Sequence, residues 1–279
     1  MQRLMDVNSL LQNTKMELTS NVCDSELHTK SIQMMMVEGK EVCPICELEN
    51  ENRELARIEK EKYDKFLNRK NYRYLEEKSI IKDRDLWKAS FGNFEAVAPE
   101  EIANKERALV AFKQYKLGEI FTTWFTGTPG AGKSHLGMGI LRNLNESGQK
   151  DKKCVFIDFD EMLRLIRDSY GDKHSKFTEN YFINLCSEAD YLVLDDLGAE
   201  IGSIAEDMQK QKKASDFIVR ILNAIGQARQ DRPTIITTNL SRDLLEWVYE
   251  KRTTSRLFKN TYLINFSETT DKRKKTIEF

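Results

Sequence analysis

The chain has 279 residues, a formal net charge of −1, 40% hydrophobic residues and 32% charged residues. That length accommodates one large domain or two smaller ones, and the near-zero charge excludes a global field drawing the protein to nucleic acid. No stretch approaches the ~18 consecutive apolar residues of a membrane-spanning helix, and Met1 to Ser20 lacks the apolar core of a signal peptide. A cytoplasmic protein with no membrane partner, its five cysteines reduced, is expected.

Three of those cysteines lie near the N-terminus. Cys43-Pro44-Ile45-Cys46 is a knuckle whose spacing lets two thiolates share one tetrahedral Zn²⁺, and Cys23 and His28 upstream would complete a Cys₃His site. A module this small gains little from apolar burial, so metal would supply the missing stability. Incidental thiols and a redox pair are the other readings. A redox pair should open a helix after a thioredoxin-like strand, and nothing in the sequence resembles one. Cys154 and Cys186 fall in apolar runs as packing residues. Met34-Met35-Met36 reads as core by default, or as a partner patch.

Between Pro44 and Gly92 there is neither glycine nor proline. Arg53, Arg57, Lys60 and Lys62 alternate with Glu51, Glu54, Glu59 and Glu61, which is helix-surface chemistry. Leu48, Leu55, Ile58, Phe66 and Leu67 make only an irregular apolar stripe, too poor for a coiled coil. The pattern predicts an exposed helix from residue 47 to about 78. The expected organisation is a zinc-binding module over 1–50, a charged connector over 51–89 and an α/β domain over 90–279.

In the last part, apolar runs alternate with helical patterns, which predicts a parallel sheet covered on both faces. Strands are expected at Phe121–Phe125, Cys154–Phe159, Tyr191–Asp195, Thr234–Thr238 and Tyr262–Phe266. Helices are expected over His135–Asn145, Asp160–Ser169, Ala214–Arg229 and Arg242–Glu250. Between the first strand and first helix lies Gly127-Thr128-Pro129-Gly130-Ala131-Gly132-Lys133-Ser134, a complete P-loop continued by His135. Its glycines let backbone N–H groups converge on phosphate, and the positive end of the new helix adds to them. Lys133 would reach the β- and γ-phosphates of ATP while Ser134 would ligate Mg²⁺. Tyr191-Leu192-Val193-Leu194-Asp195-Asp196 reads as a Walker B strand. There Asp195 would hold Mg²⁺ and Asp196 would polarise the attacking water. Arg252 and Arg256 lie four apart, on one face if this segment is helical. The run Asp271-Lys272-Arg273-Lys274-Lys275 is either a basic tail or a return of Arg273 to the nucleotide.

Gly-Lys-Ser-His-Leu at 132–136, Asp-Asp-Leu-Gly at 195–198, Pro-Thr-Ile-Ile-Thr-Thr-Asn at 233–239 and Ser-Arg-Leu at 255–257 resemble replicative helicase loaders of the DnaC/DnaI type. The transposition helper ATPases of the IstB type share these motifs. The resemblance covers about residues 90 to 275 and implies an AAA+ ATPase core with a five-stranded parallel sheet and no full helical lid, in keeping with the short stretch after Arg256. It implies that Asn239 is the sensor 1 residue placing the lytic water. It also implies that Arg256, supported by Arg252, is a finger reaching a neighbouring subunit in a self-associated assembly, and Arg273 a sensor 2. The implied partners are the hexameric replicative DNA helicase, gripped by the N-terminal cysteine module, and single-stranded DNA. The helix after the second strand, with Arg164, Arg167, Tyr170, Lys173, Lys176 and Phe177, is the segment the resemblance points to for DNA. Position 196 departs from many relatives, which have Glu there; the shorter Asp implies slow hydrolysis. The rival readings are an IstB-type helper acting with a transposase, a small-molecule kinase, and an ATP-binding scaffold.

Overall fold

The computed structural model describes residues 17–26, 28–37, 39–67, 71–147, 151–202 and 210–273. The sequence readings on residues 1–16, on the side chains of Phe66 and Leu67, and on Lys274 and Lys275 lie outside the described residues. The chain divides into two compact units, Met1–Asn68 and Arg69–Phe279.

In the first unit, β1 (Glu17–Cys23), β2 (Ile32–Val37) and β3 (Lys40–Val42) form an antiparallel sheet in the order β1-β2-β3. Gly39, with φ +79°, lies in the left-handed region between β2 and β3, a conformation glycine adopts without a Cβ penalty. Helix α1 (Pro44–Leu67) follows, and proline suits its first position because that N–H has no helical partner. Arg57 pairs with Glu54 at 2.6 Å and Glu61 at 2.7 Å along its surface. Among the described residues of this unit Cys43 alone is buried, while Leu18, Leu48, Leu55 and Tyr63 are exposed. Apolar burial therefore contributes little to this unit.

The second unit begins earlier than the sequence reading placed it. The expected connector over 51–89 is split: its first part is the exposed α1, and its second part packs on the sheet. After α2 (Tyr74–Lys78), Ile80 accepts from Asp158 N–H and donates to Phe156 O, both at 2.8 Å. That bridge covers the edge of the outermost strand, satisfying ladder groups that would otherwise face water. The boundary near Ser90 is corrected to the Asn68–Arg69 junction for this reason.

The core is a parallel sheet of β4 (Thr122–Gly127), β5 (Cys154–Asp158), β6 (Tyr191–Leu197), β7 (Thr234–Thr238) and β8 (Thr261–Phe266), in the order β5-β6-β7-β4-β8. Alternate residues point to opposite faces, and both faces are covered. Trp124, Val155, Leu192, Leu194 and Ile236 join one core layer, and Phe125, Phe156, Val193 and Ile235 the other. The first layer packs against α5 (Phe159–Ser169), α6 (Glu179–Glu188), α7 (Asp216–Ala228), α8 (Arg242–Tyr249) and α9 (Lys251–Leu257). The second packs against α3 (Pro99–Leu117) and α4 (Lys133–Glu146).

The expected strands and helices of the second unit are found with ends shifted by a few residues, whereas the helix expected from residue 47 to about 78 ends at Leu67, with α2 a separate helix after it. Helices α3 and α6 were not anticipated. The first carries signals that the sequence reading passed over: Pro99 at its start, Glu101 accepting from Val97 N–H at 2.7 Å, and Gly118 at φ +96° closing it. No described helix is long and apolar enough to cross a membrane.

Candidate functional site

Three P-loop glycines hold conformations that a side chain would strain: Gly127 at φ +110°, Gly130 at +75° and Gly132 at +94°. A Cβ at Gly127 would stand 2.0 Å from Phe266 O, and one at Gly132 would stand 2.5 Å from the Phe94 ring. Helix α4 starts at Lys133, so its unpaired N-terminal N–H groups face the loop. Lys133 is 6% exposed, and its ammonium donates to Gly127 O at 2.7 Å and Thr128 O at 2.6 Å. Burial lowers its pKa to about 8, against the opposing pull of Asp196 and Asp195.

Asp195 and Asp196 end the buried run of β6 beside the P-loop. Asp195, 5% exposed, accepts from Thr237 Oγ1 at 2.6 Å and from the Ser134 hydroxyl. Burial raises its pKa to about 7, and the neighbouring charges of Asp196 and Asp158 add to that rise. The pairing of β6 with β7 slips between Leu194 and Leu197, and at this slip Asp196 adopts φ +54°, a sparsely populated conformation for a residue with a Cβ. Asp196 N–H donates to Thr237 Oγ1 at 2.8 Å, and Asn239 Nδ2 donates to Asp196 Oδ1 at 3.2 Å. Because β7 lies between β4 and β6, Asn239 just beyond its end stands between the P-loop and the two aspartates. An adjacent hydroxyl and buried carboxylate make the hard-oxygen donor set that Mg²⁺ takes, so Ser134 and Asp195 fit that ion.

These groups line a cavity of 560 Å³, together with Arg273. Leu86, Asn93 and Phe94 line the same cavity, with Lys82, Asp83 and Asp85 among their neighbours in the lining. His135 also lines it, its Nε2 at 2.9 Å from Ser90 O and 3.0 Å from Asn93 Oδ1, with Phe94 edge-on at 5.4 Å. Burial lowers the pKa of that imidazole. A cavity lined by the P-loop, cationic and carboxylate groups and an aromatic ring fits a nucleoside triphosphate. Residues 82–95 carry no motif, so sequence reasoning missed Leu86 and Phe94.

A strap returns over the loop after β8. Glu100 accepts from the backbone and hydroxyl of Ser267, at 2.7 and 2.8 Å, and from those of Thr269, at 2.7 and 2.6 Å. Partial burial would raise the Glu100 pKa, but these donors outweigh it and hold it at about 2. Further on, Lys272 N–H donates to Gly130 O at 3.1 Å, while its ammonium lies 4.6 Å over the Phe94 ring and 3.1 Å from Glu101. Arg273 then lines the cavity with its side chain 79% exposed, 3.8 Å from Asp271.

Arg256 is absent from the lining of its own chain's cavity. It lies on α9, partly buried, with its guanidinium donating to Asn223 Oδ1. Arg252 is exposed on the same short helix. Of the residues read as DNA contacts, Arg164 is engaged by Glu161 and by Asp168 at 2.9 Å. Phe177 is half-buried, stacked 5.8 Å from Phe182 and edge-on to Tyr181. Tyr170 is 66% exposed, and Arg167 lies 5.5 Å over Phe217, an aromatic the sequence reading did not include.

In the first unit, Cys23 at the end of β1, His28 in the following loop, Cys43 after β3 and Cys46 in the first turn of α1 converge. Their ligand atoms all lie within 4.8 Å of one another. The Cys23 and Cys46 sulfurs are 3.8 Å apart, the edge of a tetrahedron with ~2.3 Å spokes, as Zn–S bonds require. His28 Nε2 is 3.5 Å from Cys43 Sγ, and its Nδ1 donates to Lys30 O at 2.7 Å, so Nε2 presents a lone pair to the centre. Burial pushes the Cys43 thiol up, but the Cys46 and Ile45 N–H groups and the neighbouring thiols outweigh it, bringing the pKa to about 7. The CxxC pair does open a helix, but from an antiparallel sheet and with two further ligands, so the donor set fits structural zinc.

No family model matches the chain. The curated replicative helicase loader DnaC of Escherichia coli (strain K12) is 27% identical over 173 residues, 60% of this chain and 62% of that protein. The DnaC of Shigella flexneri matches equally. The chain thus matches less than two thirds of the length of these relatives. Among solved structures, the DnaC helicase loader superposes with TM-score 0.51 at 24% identity, covering 66% of this chain and all of that one. The structure of DnaI gives TM-score 0.51 at 20% identity, covering 70% of this chain and 96% of that one. The fold of the second unit is the AAA+ P-loop ATPase fold, in a chain whose sequence resembles replicative helicase loaders of the DnaC type.

Proposed function

We propose that this protein is a cytoplasmic, ATP-dependent loader of the hexameric replicative DNA helicase onto single-stranded DNA. The reading is carried by the convergence of Lys133, Ser134, Asp195, Asp196 and Asn239 on one cavity, in a chain similar to DnaC. Lys133 neutralises the phosphate chain, its ammonium exchanging loop carbonyls for phosphate oxygens. Ser134 and Asp195 would hold Mg²⁺, which would supply charge neutralisation for the phosphate chain. Asp196 accepts the proton of the attacking water, which Asn239 helps to orient from the same side. Arg273 contributes in cis from the strap, and Arg256 in trans from a neighbouring copy, making self-association a condition for fast turnover. Aspartate at 196 keeps basal hydrolysis slow, which suits a timed release of the loader.

The first unit, organised by zinc at Cys23, His28, Cys43 and Cys46, is the helicase grip. Tyr170, Arg167 and Lys173 offer an exposed ring and cations to a single strand. Native mass spectrometry of this protein with its host's replicative helicase, with and without ATP, tests the reading. A defined complex lost on removal of residues 1–68 supports it. No complex under any nucleotide condition overturns it for that helicase and moves the transposase-helper reading forward.

A further inference from the structure

We infer that Thr237 is a positioning residue for both acidic groups of the nucleotide site, its single hydroxyl setting the Asp195 carboxylate and the Asp196 backbone together. The inference deepens the ATPase reading above and rests on it.

Thr237 Oγ1 donates its proton to Asp195 Oδ1 at 2.6 Å and accepts the Asp196 N–H at 2.8 Å. A hydroxyl is among the few side-chain groups that do both at one atom. The need arises from the slip between Leu194 and Leu197, where the β6–β7 ladder is interrupted at these two aspartates. The Asp196 N–H turns to a side chain of β7, and the residue holds φ +54°. That rotation aims the Asp196 carboxylate at Asn239 rather than along the strand. Thr237 is 1% exposed, so water does not replace its hydroxyl readily. One hydroxyl therefore correlates the cation-binding acid with the water-activating acid.

Thr237 also has a packing role that must be separated from this one. Its methyl group faces Gly137 on α4, where an added Cβ would stand 3.6 Å away. Two substitutions divide the hydroxyl from the methyl. T237V keeps shape and packing and loses the hydroxyl; T237S keeps the hydroxyl and loses the methyl.

The test uses the full-length protein and three readouts: thermal unfolding, fluorescent ATP-analogue binding titrated with Mg²⁺ or Mn²⁺, and steady-state ATP turnover. T237V is expected to bind the analogue in EDTA as the wild type does. It should need about ten- to a hundredfold more divalent ion for the ion-dependent gain in affinity. Its kcat should fall by a similar factor with KM at saturating ion little changed, whereas T237S should stay within about threefold of wild type in both. The reverse order, with T237S impaired and T237V normal, overturns the inference in favour of packing alone. Equal ion dependence and kcat in T237V and wild type also overturns it. If T237V fails to fold, T237S decides: loss of ion dependence despite the retained hydroxyl overturns the inference. Wild-type protein that binds nucleotide without hydrolysing it defeats the ATPase reading while the ion titration still judges Thr237. Wild-type protein that binds no nucleotide overturns both.

Discussion

Glu100 and Thr269 are joined twice, through the Thr269 N–H at 2.7 Å and its hydroxyl at 2.6 Å, both donated to Glu100 Oε2. The contact ties the first turn of α3 to the strap carrying Lys272 and Arg273. E100Q keeps the shape but removes the charge that these donors require. It should lower Tm by about 2–5 °C at neutral pH and weaken nucleotide binding through the loosened strap. The Glu100 pKa is depressed by folding, so its stabilisation is present above the ordinary carboxylate value and fades as pH falls toward about 2. Denaturation curves between pH 5 and 2 should therefore converge for E100Q and wild type; parallel curves would refute the assignment.

Lys133 is buried, its ammonium hydrogen-bonded to the Gly127 and Thr128 carbonyls while Asp195 and Asp196 favour its charge. K133M should lower ATP affinity by about a hundredfold while leaving Tm unchanged or higher, because a desolvated cation is removed. The folded pKa of about 8 lies below the ordinary lysine value, so the folded state holds fewer protons between the two and stability rises with pH across that window. Calorimetric titration should show ATP affinity falling above pH 8 in the wild type. That fall should be absent in K133M.

The nucleotide motifs and the sheet were legible because their information is local. Gly127–Ser134 is contiguous, and these strands are apolar runs of five to seven residues, the mark of a sheet buried on both faces. Cys43 and Cys46 are three positions apart, so the knuckle announced itself, with Cys23 and His28 following from chemistry. What escaped is the long-range part. Glu100 meets Ser267 across 167 positions, and Thr237 meets Asp195 across 42; no window of sequence contains either pair. The antiparallel sheet of the first unit escaped for another reason. Its strands hold Thr, Ser, Asn, Gln and Glu on a half-buried surface, which leaves no clean period of two.

Zinc should be recovered at one ion per chain by elemental analysis of the purified protein. C43S and C46S should lose it, and their first unit should become sensitive to protease, since burial holds so little of it together. C186S, in the apolar core of the second unit, should keep its zinc.

R256A should bind ATP with wild-type affinity, because Arg256 does not line its own cavity. If it acts across an interface, turnover stimulated by DNA or helicase should fall by on the order of a thousandfold. Mixing R256A with K133M protein should restore part of that turnover at mixed interfaces. No restoration would place Arg256 outside any shared site.

The Ile80–Ile157 bridge bears on how this protein can be dissected. A fragment opened at Ser90, where the motifs suggest a natural start, would strip Ile80 from β5 and leave its outer N–H and C=O groups free to recruit strands from other molecules. Such a fragment should precipitate or form soluble aggregates on size-exclusion chromatography. A fragment opened at Asn71 retains its own edge cover and should elute cleanly. The stretch that looks like a tether is the selvedge of the ATPase sheet.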